Sequence, residues 1–228
     1  MVTGLRTAAD RDTMDIAVVD YGMGNLRSVA KALEHVAPGA TVHVTSNPEV
    51  VGSAQRVVFP GQGAMPDCMR ELDARRLRPA VLEAARAKPF LGICIGLQML
   101  FEWSEEGGVA GLGVFRGKVR RFPAERMVDA AGARLKVPHM GWNRVHATRA
   151  HALWRGIAPE SRFYFVHSYF VEPVEPDLVA GTSEYPLAFT CAVARANVFA
   201  VQFHPEKSHT AGLQLLANFV GWQPGGGA

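Results

Sequence analysis

Pro89-Phe90-Leu91-Gly92-Ile93-Cys94-Ile95-Gly96-Leu97 is the stretch on which the fold turns. Its first half is a short apolar run of the kind that fills a buried strand, and residues 97–103 behind it carry helical periodicity. Between them stands one cysteine with a glycine two residues to either side. Strand, sharp turn and helix around a single nucleophilic side chain form a nucleophile-elbow pattern, in which flanking glycines are needed because the turn leaves no room for neighbouring side chains.

The same alternation continues outward. Ile16-Ala17-Val18-Val19 precedes helical spacing over residues 25–36, and Arg56-Val57-Val58-Phe59 precedes helical spacing over residues 66–87. Strands alternating with helices predict an α/β fold with a central, mostly parallel sheet flanked by helices. Beyond Gly113 the strand patterns crowd together at residues 115–121, 162–165, 187–194 and 198–203, so the second half is predicted to add a strand-rich, partly antiparallel part. Residues 208–220 close the pattern as an amphipathic helix with Leu213, Leu216, Ala217 and Val220 on one stripe. No internal repeat or linker interrupts residues 15–222, which read as a single domain, with residues 1–14 as a flexible leader and residues 223–228 as a flexible tail. The leader carries Arg6, Asp10, Arg11 and Asp12 and lacks the apolar core of a secretory signal.

Composition excludes several classes. At 228 residues, 48% hydrophobic and 20% charged, the chain is neither disordered, collagenous nor disulfide-stapled. A net charge of +3, spread along the chain, offers no basic patch for nucleic acid. The longest uncharged run, residues 89–101, falls short of the roughly 20 residues a membrane-spanning helix needs. Three cysteines without a CxxC pair suggest neither a disulfide framework nor a zinc site, and they suit a reducing cytoplasm.

Cys94 is the candidate nucleophile. A helix N-terminus favours thiolate over thiol, and the Ile95 N–H at that end is a candidate oxyanion donor. Cys68 and Cys191 read as packing residues. The apolar run at residues 198–203 leads into His204-Pro205-Glu206, where Pro205 holds the preceding residue extended and the two-residue spacing presents imidazole and carboxylate side by side. Such a pair makes His204 a general acid and base and Glu206 the group that orients it. A zinc site built from Cys94, His204 and Glu206 lacks a short-range ligand pair, so neither metal nor cofactor is called for. The loop Pro60-Gly61-Gln62-Gly63 follows a strand and supplies backbone amides near Gly61 and Gln62 for a second oxyanion donor. Gly61 of that loop, Gln98, one helical turn after Cys94, and His167-Ser168-Tyr169, at the end of an aromatic strand, are candidate substrate contacts. The histidines at His35, His43, His146, His151 and His209 read as surface residues.

These elements carry a family likeness. Gly92-Ile93-Cys94-Ile95-Gly96-Leu97-Gln98 with a distant His204-Pro205-Glu206 resembles the triad (class I) glutamine amidotransferases. Asp20-Tyr21-Gly22-Met23-Gly24-Asn25-Leu26, Pro138-His139-Met140-Gly141-Trp142-Asn143 and Tyr164-Phe165-Val166-His167-Ser168-Tyr169 narrow the resemblance to the glutaminase subunits of imidazole glycerol phosphate synthases. One departure is Gln62, where the family pattern has a small aliphatic residue, although the backbone amide is the working group there. The resemblance implies hydrolysis of L-glutamine to L-glutamate and ammonia through a cysteinyl thioester. It also implies passage of the ammonia to a partner (β/α)8-barrel synthase subunit in a heterodimer, which makes imidazole glycerol phosphate and aminoimidazole carboxamide ribotide in L-histidine biosynthesis. Asn25, Trp142, read as lying in a glycine-containing loop, and Lys207 are candidates for the partner-facing surface. Other readings are a glutaminase subunit serving another synthase, a stand-alone γ-glutamyl hydrolase and a catalytically dead regulatory subunit, the last disfavoured by the intact triad.

Overall fold

The computed structural model describes residues 14–128 and 132–225. Residues 1–13 of the predicted leader and 226–228 of the predicted tail lie outside the described residues, whereas Met14 belongs to the first strand. The first half alternates through β1 (Met14–Val19), α1 (Leu26–Val36), β2 (Ala40–Thr45), α2 (Pro48–Ser53), β3 (Arg56–Phe59), α3 (Met65–Ala74), α4 (Arg78–Ala87), β4 (Phe90–Ile93) and α5 (Ile95–Met99). The second half supplies β5 (Phe101–Ser104), β6 (Val109–Ala110), β7 (Phe115–Arg121), β8 (His139–Arg144), β9 (His146–Ala147), β10 (Arg162–His167), β11 (Tyr169–Pro173), β12 (Val179–Glu184), β13 (Ala188–Arg195) and β14 (Val198–Val201), and it closes with α6 (His209–Gly221).

Among the described residues one sheet runs β2-β1-β3-β4-β14-β13-β11-β7-β5-β6, with β12 paired to β13 and β9 to β12, while β8 and β10 pair apart from it. Its β2-to-β14 half is parallel, and the switch to antiparallel pairing falls between β14 and β13. Alternate side chains enter two cores, one on each face. Val57 and Phe59 of β3 pack with α3 and α4, whereas Val58 joins Ile16, Leu33 and Leu216 on the opposite face. The central strands β3, β4 and β14 are buried on both faces, as continuous apolar runs in a parallel sheet require. Among the described residues no helix is long and apolar enough to cross a membrane.

Two helices differ from their sequence-based limits. The helix predicted over residues 66–87 is broken between α3 and α4, where Arg76 adopts φ 56 and the amides of Arg76 and Leu77 return to the carbonyls of Asp73 and Leu72. This is a Schellman ending with arginine in the position glycine usually takes, and Pro79 starts the next helix. The helix predicted over residues 97–103 stops at Met99, because the carbonyls of Met99 and Leu100 accept from Leu112, Val114 and Phe115 and draw Phe101 into the sheet. Trp142 lies on β8, not in a loop.

Candidate active site

Parallel pairing of β4 with β14, in register through Ile93 and Val201, brings the two predicted catalytic segments to one sheet edge. Cys94 stands at φ 57 and ψ −113, a conformation that L-residues rarely adopt. Its amide donates to the Val201 carbonyl at 2.8 Å and its carbonyl accepts from the Leu97 amide at 3.0 Å, so the strained residue is held on both sides. Gly96 must be glycine, since a Cβ there would lie 1.9 Å from the Phe59 carbonyl oxygen.

His204 lies three residues beyond the end of β14. Its backbone is clamped by donation to the Tyr164 carbonyl at 2.9 Å and by the Ser208 hydroxyl, which donates to the His204 carbonyl at 2.6 Å. Nδ1 donates to Glu206 Oε1 at 2.9 Å, with both side chains almost wholly buried. That bond fixes the tautomer and leaves Nε2 without a hydrogen-bond partner. Burial opposes a charged imidazole, but the neighbouring Cys94 sulfur and Glu206 carboxylate outweigh it and raise the His204 pKa to about 10. The imidazole therefore holds a proton beside the nucleophilic sulfur and can deliver it. Burial raises the Cys68 thiol to about 11 and pushes the Cys191 thiol up further still, which leaves both unreactive near neutral pH.

A cavity of about 420 Å³ opens over the sulfur. It is lined by the predicted residues Gln62, Cys94, Ile95, Gln98, His167, Ser168, Tyr169, His204 and Lys207, and also by Glu106 and Tyr164, for which the sequence predicts no role. Gly61 is not on the lining. It lies buried against Ile95 and Tyr21, where a Cβ would come within 2.5 Å of Ile95 Cγ2 and 1.8 Å of the Tyr21 hydroxyl, so its role is to let the Gln62 loop approach the elbow. Glu206 is also absent from the lining, behind His204. Glu106 ties the loop from outside, accepting from the Met65 amide at 2.8 Å.

Gln98 Nε2 donates to the Tyr169 carbonyl at 3.1 Å and to Gln202 Oε1 at 2.9 Å, which leaves its own Oε1 as an acceptor for a substrate ammonium or amide group. Asn25 and Trp142 stand off the cavity. Asn25 is exposed at the start of α1, and Trp142 stacks on His209 at 4.8 Å, edge-on to Tyr164 at 6.0 Å. Lys207 Nζ sits 5.8 Å from the Tyr164 ring centroid, so Trp142, Tyr164, His209 and Lys207 form one cluster, of which Tyr164 and Lys207 line the cavity.

A cysteine in strained backbone and an imidazole oriented by a buried carboxylate, set in a small cavity that Gln62 and Ile95 also line, are the parts of a cysteine-dependent amide-cleaving site. The chain belongs to the class I glutamine amidotransferase family, whose model matches residues 17–221. Its relatives are more particular. The imidazole glycerol phosphate synthase subunit HisH of Nitrosospira multiformis is 70% identical over 210 residues, spanning 92% of this chain and 99% of that protein. The HisH subunit of Dechloromonas aromatica is 71% identical over 209 residues, spanning 92% and 97%. Among solved structures, PurLQS from Thermotoga maritima superposes with a TM-score of 0.65 over 92% of this chain and 98% of its own, and at 15% identity this is a likeness of fold alone.

Proposed function

We propose that the chain is the glutaminase subunit of an imidazole glycerol phosphate synthase, working in the cytoplasm in L-histidine biosynthesis. Cys94 Sγ attacks the side-chain carboxamide of L-glutamine, and the amides of Gln62 and Ile95 receive the developing oxyanion. His204 gives its proton to the departing ammonia and then takes one from the water that cleaves the thioester, releasing L-glutamate and the thiol. Glu206 holds the imidazole throughout. Gln98, His167, Ser168 and Tyr169 seat the amino-acid end of the substrate. The observation that carries this reading is the buried Glu206–His204 pair with Nε2 left free beside a cysteine in strained backbone.

Ammonia released into water is lost to protonation and diffusion, so a producer of this kind acts docked on its consumer. We assign that consumer as a synthase subunit with a (β/α)8 barrel, bound as a heterodimer over the rim that carries Lys207 and Trp142, with Asn25 at its edge. The barrel subunit makes imidazole glycerol phosphate and aminoimidazole carboxamide ribotide. Glutamate release measured with and without the barrel partner and its nucleotide substrate tests the assignment. Weak turnover alone and strong stimulation by the pair is the expected outcome. Full activity alone would support a free-standing γ-glutamyl hydrolase, and stimulation only by a different synthase would move the chain to another pathway.

A further inference from the structure

We infer that Gln202 is a further catalytic residue of this site: its side-chain amide donates to the Cys94 sulfur and holds it, as an acceptor, in the attacking position. The inference rests on the glutaminase reading for its substrate but not for the state of the sulfur.

Gln202 follows β14 and is 0% exposed. Its Nε2 lies 3.8 Å from Cys94 Sγ, within reach of an N–H···S bond. The sulfur thus sits between two side chains from one strand end, the His204 imidazole and the Gln202 amide. A buried donor aimed at sulfur favours the thiolate, because the anion accepts more strongly than the thiol.

The orientation of that amide is set by its neighbours. Gln202 Oε1 accepts from Gln98 Nε2 at 2.9 Å, and the other Gln98 hydrogen goes to the Tyr169 carbonyl at 3.1 Å. The same carbonyl accepts from His167 Nδ1 at 2.8 Å. His167 Nε2 is therefore an acceptor and receives a hydrogen bond from His139 Nδ1 at 3.0 Å, and His139 Nε2 in turn accepts from Asn143 Nδ2 at 3.3 Å. Asn143 is itself oriented by donating to the Glu184 carbonyl at 2.7 Å. Each hydrogen in this buried chain has one direction only. Turning the Gln202 amide over would set its NH2 against the Gln98 NH2 and its oxygen against the sulfur, so the network delivers a donor to Cys94 and refuses the reverse. Gln98, its own amide turned by the Tyr169 carbonyl, acts through Gln202 as a positioning residue.

The test is alkylation of Cys94 by iodoacetamide as a function of pH, read by peptide mass spectrometry, in the wild type and in Gln202→Met and Gln202→Leu. Both substitutions remove the donor and differ in shape. Loss of a hydrogen bond to a charged group predicts alkylation slower by roughly tenfold or more near neutral pH, a profile displaced to higher pH by the same amount in both variants, and glutamine kcat lowered roughly tenfold or more with KM held within about twofold. Wild-type alkylation or wild-type kcat in Gln202→Met overturns the inference. In the unaltered protein, side-chain amide NMR reads the contact directly: the Gln202 Nε2 protons shift over the pH range in which Cys94 becomes reactive, and resonances that stay fixed overturn it as well. If the chain proved not to hydrolyse glutamine, alkylation and NMR would still report on the sulfur, so the two failures are distinguishable.

Discussion

Acid is predicted to destabilise this protein through two almost wholly buried histidines. His139 is 3% exposed and His167 6%, and they sit in line as neutral donor and acceptor. Burial lowers the His139 pKa to about 4 and, aided by the neighbouring imidazoles, lowers that of His167 to about 3, against about 6.5 for an exposed imidazole. Unfolding frees both rings, so below about pH 6.5 the unfolded chain binds protons that the folded chain refuses. Their contribution is complete above pH 6.5 and is lost as the pH falls toward 4. At about 1.4 kcal/mol per pH unit for each ring, moving from pH 7 to pH 5 removes about 2 kcal/mol per histidine and about 4 kcal/mol together, out of a typical total of about 5–15 kcal/mol. Urea unfolding followed by tryptophan fluorescence at both pH values measures the loss. His139→Leu is destabilised at pH 7 because its hydrogen bonds are gone, but it lacks one titrating ring, so its deficit against the wild type shrinks by about 2 kcal/mol at pH 5. A deficit that stays constant between the two pH values, or an imidazole NMR titration of His139 near pH 6.5, would refute the reasoning.

Four other outcomes follow from the site. Cys94→Ala abolishes glutamine-dependent synthesis by the assembled complex and leaves ammonia-dependent synthesis intact, and loss of both activities would break the division of labour. Glu206→Gln frees the imidazole to take the wrong tautomer and lowers kcat on the order of 10³–10⁴-fold in a glutamate-release assay, with little change in KM. Gly96→Ala drives a Cβ into the Phe59 carbonyl, so the elbow must move; turnover falls about 100-fold or more, while thermal unfolding shows a loss of about 1–3 kcal/mol. Trp142→Ala weakens binding to the barrel subunit roughly tenfold or more by calorimetry, and unchanged affinity removes it from the interface.

Features that depend on local chain chemistry could be read before folding. The elbow around Cys94, the His204-Pro205-Glu206 spacing and the buried central strands all announce themselves through glycine, proline and apolar runs. What escaped was decided by distant partners. Phe101 has helical neighbours in sequence but pairs with Phe115 across β7, a contact that periodicity over residues 97–103 does not contain. β2 is half-exposed with an edge strand's mixed pattern, so its signal was weak. The break after Ala74 was marked by Pro79, but an arginine in the left-handed position hid the cap that glycine would have shown. Gln202 was visible only as the polar end of an apolar run, and its chemistry appears once Gln98 is seen to turn its amide. His139 and His167 lie 28 residues apart and become a pair only when β8 and β10 align.

The placement of β14 between β4 and β13 bears on how the protein is made. Cys94 is translated more than a hundred residues before the side chains that reach it from beyond β14, since Gln202 lies 108 positions later and His204 later still. The Gln202 amide and the His204 imidazole reach the sulfur only once residue 198 and those after it have left the ribosome and entered the gap in the sheet. A chain cut short at any earlier codon carries a cysteine without donor, base or orienting acid. The Gln202 amide, the His204 imidazole and the Glu206 carboxylate are thereby withheld from every product that ends before them, and synthesis of residues 202–206 is the step that completes the site.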